Sequence, residues 1–323
     1  MTDHIAPLAG SNRRRGECQS LVRSWLEVVR SGFTLAIAVF LLVGCSSLPR
    51  ESLCTGELDF DLWVADFDGG RVQLTDFEGG EADAVWSPDG SRIAFTASRE
   101  GNCDIYVMNA DGSDLTNLTG IRSDESHPSW SPDGSQIVFV SGGQLHVIDV
   151  ASRERHELTE SEIIHGFPDW SPDGERIVFS GGEEAPGPGV VHDLYSVSPS
   201  GGDEVRLTEA STQRTAPQWS PDGTQIMYFD HSTEPLTIWT ANSDGSGAKR
   251  VTAGGHASWS PDGSRVVFDR EVGLGDVDLI VIDLSTRQER LFVDGSDYDT
   301  FPAWSPDGTR VVFASGTVSA PTR

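Results

Sequence analysis

Basic residues are scarce in this chain: 23 Lys and Arg stand against 50 Asp and Glu in 323 residues. The imbalance sharpens after residue 44, where 47 acidic and 18 basic residues leave a net charge of −29. Such a surface repels phosphate backbones and anionic headgroups and offers no basic stripe, so nucleic-acid binding is excluded. It suits cationic partners, metals or plain solubility. Cysteine is nearly missing as well. Cys18, Cys45, Cys54 and Cys103 are too few for a disulfide framework. A Gly-x-Ser-x-Gly elbow is absent, which argues against a serine-nucleophile enzyme. The apolar run Phe33 to Val43 has 11 residues, too short to span a bilayer.

What the chain does have is a five-residue signature, Trp-Ser-Pro-Asp-Gly, starting at Trp86, Trp130, Trp170, Trp219, Trp259 and Trp304. The tryptophans are 44, 40, 49, 40 and 45 residues apart. A fixed signature at such a period indicates a propeller or solenoid. Within it, Ser opens a turn, Pro presets φ, Asp tolerates the third position and Gly closes. Each turn is followed by a short strand that is apolar on successive residues, such as Ile93-Ala94-Phe95 and Val311-Val312-Phe313. A strand apolar on both faces is buried on both sides.

A second unit alternates with the signature: a strand, a Gly/Asp/Ser turn, and a strand usually ending in Leu/Val-Thr. Its copies are Leu62–Thr75, Ile105–Thr119, Leu145–Thr159, Leu194–Thr208, Ile238–Thr252 and Leu279–Val293. Naming the strands of a blade A to D, the signature is the A–B hairpin and this unit the C–D hairpin. Six of each predict an all-β, six-bladed propeller over residues 59–317. Because the series opens with a C–D hairpin and ends with an A–B hairpin, these two must pair to complete one blade and close the ring.

Residues 1–44 read as an export signal, with Arg13, Arg14, Arg15, Arg23 and Arg30 before the apolar run. The following Leu42-Val43-Gly44-Cys45-Ser46 resembles the lipobox of bacterial lipoproteins. That resemblance implies lipidation at Cys45, a tether over 45–58 and a location on a bacterial membrane, at its periplasmic or extracellular side. The tail is 318–323. Cys54 precedes the first C strand and Cys103 opens the next. A disulfide between them would tie the tether to the first full blade; free thiols remain the alternative.

The six signatures resemble the TolB-like, or PD40, propeller repeats of bacterial envelope proteins, over about residues 59 to 317. The resemblance implies the propeller fold and a recognition role among envelope proteins. Related repeats also occur beside hydrolase domains and in sugar lyases. Family members of the Tol–Pal system carry an α/β domain before the propeller, whereas here about a dozen residues separate Cys45 from the first strand.

The face bearing the B–C and D–A loops varies in length and is the expected working face, since binding concentrates on variable loops held by a rigid scaffold. Residues just before each Trp are expected to line a tunnel mouth there. Five positions before Trp stand Glu81, Glu125, His165, Arg214, Gly254 and Asp299; three before stand Asp83, His127, Phe167, Ala216, His256 and Phe301. The expected binding set is Glu81, Asp83, Glu125, His127, His165, Arg214, His256 and Asp299. It points to a non-catalytic monomer with no cofactor that binds a protein or peptide by charge complementarity. The alternative is a metal-dependent, carbohydrate-directed lyase using His127, His165 and His256, because His with carboxylates suits Zn, Mn or Fe. The Asp-x-Asp-Gly-like stretches at Asp66 and Asn109 lack the distal ligands of a calcium loop and read as turns.

Overall fold

The computed structural model describes residues 58–318, apart from residues 100, 121, 185–189, 209–212, 233–234, 274–275 and 296. The expected export signal, Cys45, Cys54, nearly all of the tether and the tail beyond Val318 lie outside these residues. The described chain is all-β, without helix, and its sheets have a β-propeller arrangement.

Four sheets have four antiparallel strands each. The first comprises Glu81–Trp86, Arg92–Ser98, Cys103–Asn109 and Thr116–Asn117. The second comprises Glu125–Trp130, Gln136–Ser141, Gln144–Asp149 and Arg155–Glu157. Ile164–Trp170, Ile177–Glu184, Val190–Val197 and Val205–Arg206 form the third. Arg214–Trp219, Gln225–Asp230, Thr237–Asn242 and Lys249–Ala253 form the fourth. The remaining strands make an eight-stranded sheet with two arms. One arm holds Gly255–Trp259, Arg265–Gly273, Asp276–Asp283 and Glu289–Val293; the other holds Tyr298–Trp304, Arg310–Val318, Leu58–Asp66 and Arg71–Gln73. A parallel pairing of Val277 with Tyr298 joins them. Leu58–Asp66 pairs antiparallel with Arg310–Val318 over its whole length, from Leu58 against Val318 to Asp66 against Arg310. Chain start and chain end of the described region thus lie in one sheet.

Every signature is a hairpin with the same bonds. Ser87 Oγ donates to Asp89 Oδ1 (2.6 Å) and accepts from Arg92 N (2.9 Å), while Asp89 Oδ1 also accepts from Ser91 N (3.0 Å). The last copy repeats this with Ser305, Asp307, Thr309 and Arg310. The closing glycines adopt φ of 67–73°, a left-handed conformation that glycine enters without steric cost. The turn fixes the register, so that each signature Trp lies opposite the first apolar residue of the next strand, as Trp86 lies opposite Ile93 and Trp304 opposite Val311.

Alternation along that second strand then builds the core. Ile93 and Phe95 pack with Trp86 against Leu62, Val312 and Ala314, whereas Ala94 between them packs with Ile105 against Trp130, Ile137 and Phe139. Neighbouring side chains on a strand point to opposite faces. One strand therefore serves two interfaces, and all three residues are fully buried. The same division recurs at Val267, which faces Val311 and Phe313, and at its neighbours Val266 and Phe268, which face Met227 and Phe229.

The Leu/Val-Thr ending of the second unit has a structural cause. Thr75, Thr119, Thr159 and Thr208 each accept, at Oγ1, the N–H of the residue with which the same unit begins, at 2.7–3.0 Å. These capped N–H groups belong to Leu62, Ile105, Leu145 and Leu194. Gly181 to Glu184 belong to the Ile177–Glu184 strand and pair with Val190–Asp193. The short connection before Trp259 turns at Gly254, φ 153°, where an added Cβ would fall 2.4 Å from Phe268. Cys103 is disulfide-bonded; the chain's other cysteines lie outside the described residues.

Replacing Thr159 with Val keeps the shape but leaves the buried Leu145 N–H without its acceptor. A loss of about 1–3 kcal/mol is expected, read as a lower urea midpoint with an unchanged slope. An unchanged midpoint would remove the capping role.

Candidate functional site

The first strand of each sheet runs into its signature and carries an irregularity two to four residues before the Trp. The register shifts between Ala82 and Val85, and likewise in the other five first strands. At the shift, Asp83, His127, Phe167, Ala216 and Phe301 adopt left-handed backbone, φ 50–55°. A non-glycine residue held there costs on the order of 1–3 kcal/mol. His256 holds the sixth equivalent position without it.

The three residues from each bulge to its Trp line a central cavity of about 140 Å3. Its first layer is Asp83, His127, Phe167, Ala216, His256 and Phe301; deeper lie Val85, Ser129, Asp169, Gln218 and Ala303. Two imidazoles sit on phenyl rings, His127 on Phe167 and His256 on Phe301, each with centroids 3.9 Å apart. Asp83 stands 3.8 Å from His127 and accepts from Thr96 Oγ1 at 3.1 Å. Nδ1 of His256 is 2.7 Å from Asp269, whose carboxylate also accepts a short hydrogen bond from Thr300. Burial opposes charge on His256, yet the Asp269 carboxylate beside it, reinforced by Asp83, raises its pKa above the usual histidine value.

Of the eight residues expected to bind, the structure brings Asp83, His127 and His256 to the cavity. It does not bring the others. Glu81, Glu125, Asp299 and His165 are almost completely buried and lie away from the cavity lining. Glu81 accepts from Thr75 Oγ1 (3.0 Å), and Glu125 accepts from Ser123 (2.8 Å) and Ser141 (3.2 Å). Asp299 pairs with Arg71 (3.2 Å). His165 lies 3.1 Å from both Gly143 O and Glu204, and Arg214 lies 3.8 Å from Asp193. These groups tie strands together. The reason is the bulge, which breaks the two-residue alternation between the fifth and third positions before Trp.

The layer just before Trp was not anticipated, and it has a clear role. Ser129, Asp169, Gln218 and Ser258 each accept the backbone N–H of the next signature Trp, at 2.8–3.3 Å. In the two remaining copies this residue is Val85 or Ala303, and the indole N–H of Trp130 or Trp86 donates to its carbonyl instead (3.2 Å). The sequence signal was the residue preceding each Trp, polar in four copies of six. Asp169 is the ionisable member, and desolvation in the channel wall pushes its pKa to about 7 against the opposing bonds from Trp219 and Ser129. Among the described residues, no three His, Cys, Asp or Glu side chains are grouped to hold a metal ion.

A profile of the TolB β-propeller domain (PD40) matches residues 57–144 and 141–316. The chain belongs to this family. A Tol-Pal system protein TolB of Thioalkalivibrio sulfidiphilus is 32% identical over 117 residues, 35% of this chain and 25% of that protein. The chain thus spans about a quarter, or less, of the length of the curated relatives it matches. Among solved structures, TolB from Acinetobacter baumannii superposes with a TM-score of 0.66 at 19% identity, covering 79% of this chain and 69% of that one. An oligogalacturonate lyase in complex with manganese superposes with a TM-score of 0.52 at 16% identity, covering 80% and 96%. At such identities the superpositions establish the shared propeller fold.

The raised carboxylates set a pH dependence for this TolB-like propeller. Desolvation raises Asp169 to about 7, Glu125 to about 7 and Asp299 to about 6. A carboxyl group raised on folding contributes stability below its unfolded pKa and loses it as pH climbs through the folded value. Asp169→Asn removes one such group. Its melting temperature relative to wild type is therefore expected to improve as pH rises from 5 to 8; a pH-independent difference in scanning calorimetry would refute the shift.

Proposed function

We propose that this chain is an exported envelope lipoprotein, a closed ring of six four-stranded blades that binds a protein or peptide partner at the channel mouth without catalysing a reaction. The observation that carries the reading is the set of five left-handed residues around one cavity. Backbone strain repeated at equivalent positions persists where the direction of a side chain matters. Here it aims an aspartate, a histidine and two phenyl rings into the same space. A rigid mouth lowers the ordering cost of binding.

Three observations support the ring. The two arms of the eight-stranded sheet meet at one residue pair, so each counts as a blade. Apolar clusters join each sheet to the next, and one joins Leu62 and Val312 of the last to Ile93 and Trp86 of the first. A Cβ added at Gly90 would lie 3.7 Å from Pro306, just as one at Gly134 would lie 3.6 Å from Pro88. Closure leaves no free face at either end of the series.

The relatives named as Tol-Pal system proteins support an envelope location and a protein partner. The lipobox-like stretch at Cys45 supports a lipid anchor, and the disulfide at Cys103 supports a Cys54–Cys103 tie. A monomer with no cofactor and no nucleic-acid partner completes the reading. The fold likeness to a manganese-bound lyase favours a second reading, a metal-dependent carbohydrate lyase. It is the weaker one, because His165 is buried away from the cavity that His127 and His256 line.

The test uses the full chain in detergent as bait for envelope proteins, with and without chelator, beside an Asp83→Ala/His127→Ala/His256→Ala variant. The expected result is a protein captured by wild type, indifferent to chelator and lost in the variant. Stoichiometric metal in the purified chain with no captured protein would overturn the proposal in favour of the lyase.

A further inference from the structure

At the other end of the first strands, the signature turns of adjacent sheets touch, and an arginine recurs between them. Two residues after the signature Gly, where the second strand begins or is about to begin, stands Arg92, Gln136, Arg176, Gln225, Arg265 or Arg310. Three of these guanidinium groups lie over the signature Trp of the following sheet. Arg92 covers Trp130, Arg265 covers Trp304 and Arg310 covers Trp86, each 4.8 Å from the ring centroid. Arg92 also donates to the carbonyl of Gly134 in the neighbouring turn (3.3 Å). The interface is thus built to receive a guanidinium, through an indole face and a turn carbonyl.

At the Trp259 interface the arginine is replaced by Gln225. Here the turns enclose a cavity of about 260 Å3, lined by Gln225, Trp259, Gly263, Pro221, Asp222 and Asp262 among others. Gln136 holds the same place before Trp170 but is half-buried, whereas Gln225 is exposed. Arg176, before Trp219, is held instead by Ser196 (3.0 Å). The cavity therefore lies at the place that an arginine takes in three sibling interfaces, with Gln225 there instead. Its rim is anionic: bonds from their own turns lower the pKa of both Asp222 and Asp262, and all the turn bonds to Asp222 fall on Oδ1.

We infer that this notch is a binding site for an arginine side chain of a partner protein, which takes the place Gln225 leaves open over Trp259. Guanidinium fits for physical reasons: it stacks on an indole while its in-plane N–H groups reach carboxylates and carbonyls at the edge, which an ammonium point charge does less well. The site is separate from the channel mouth and does not depend on what the mouth binds.

The test is a titration of the full chain, labelled with fluorotryptophan and kept in detergent, with N-acetyl-arginine amide. Its neutral isostere, N-acetyl-citrulline amide, serves as control, and Trp259→Phe assigns the resonance. A saturable millimolar shift of the Trp259 signal is expected with arginine, at least fivefold weaker with citrulline. It should be lost in Gln225→Arg, whose own side chain fills the notch. That variant restores the residue found in three sibling interfaces, so it is expected to fold, and its unchanged dispersion of the other tryptophan signals checks this. An unmoved Trp259 signal, equal shifts with citrulline, or an undiminished shift in a folded Gln225→Arg variant would each overturn the inference.

Discussion

Burial of one strand against two neighbours is the constraint on which the rest of this structure depends. Ile93, Ala94 and Phe95 are all fully buried, yet adjacent residues on a strand face opposite ways. A lone sheet leaves such a strand half wet. Each sheet therefore requires a partner on both faces, and apolar packing of Leu62 and Val312 with Ile93 and Trp86 supplies one to the first sheet. The pairing of Leu58–Asp66 with Arg310–Val318 answers the same requirement within one sheet. The architecture follows from the hydrophobic pattern of a three-residue stretch, repeated at a period long enough for four strands.

The signature turn makes that burial accurate. Its Ser and Asp satisfy the turn's backbone and the N–H that opens the next strand, so the hairpin register is held by bonds local to the turn. The tryptophan is thereby delivered opposite an apolar residue and into the interface with the preceding sheet. There it is tied through its backbone N–H or its indole N–H, according to whether the residue before it is polar. The exposed aspartates of the turn contribute a fixed negative rim, and the arginines between turns offset it wherever they occur. Where Gln225 replaces one, Asp222 and Asp262 border a cavity beside Trp259.

The channel carries the opposite logic. Its walls are held by bulges whose left-handed residues are costly. Its polar groups are half satisfied by one another: Asp83 by Thr96 and His127, and His256 by Asp269. A site of this kind is preorganised, because its side chains are oriented by the strands rather than by a ligand. The acidity of the remaining surface then biases the approach of partners toward cationic ones.

Fold and site differ in how far the sequence determined them. The turn chemistry, the doubly apolar strands and the alternation of two hairpin types are local, and they fixed the all-β class and the strand order without any knowledge of contacts. The site was only partly legible. Asp83, His127 and His256, three residues before a Trp, do line the cavity. Glu81, Glu125, His165, Arg214 and Asp299 were expected beside them because they also closely precede a Trp, but the bulge between the two positions turns them away from the cavity. The bulge recurs between different residue pairs, Ala82 and Val85 in one strand and Gly166 and Asp169 in another, so no shared residue type marks it in the sequence. The cavity beside Trp259 is likewise a property of two sheets at once. Sequence determined the repeating unit, and tertiary structure alone decided which of its side chains face open space.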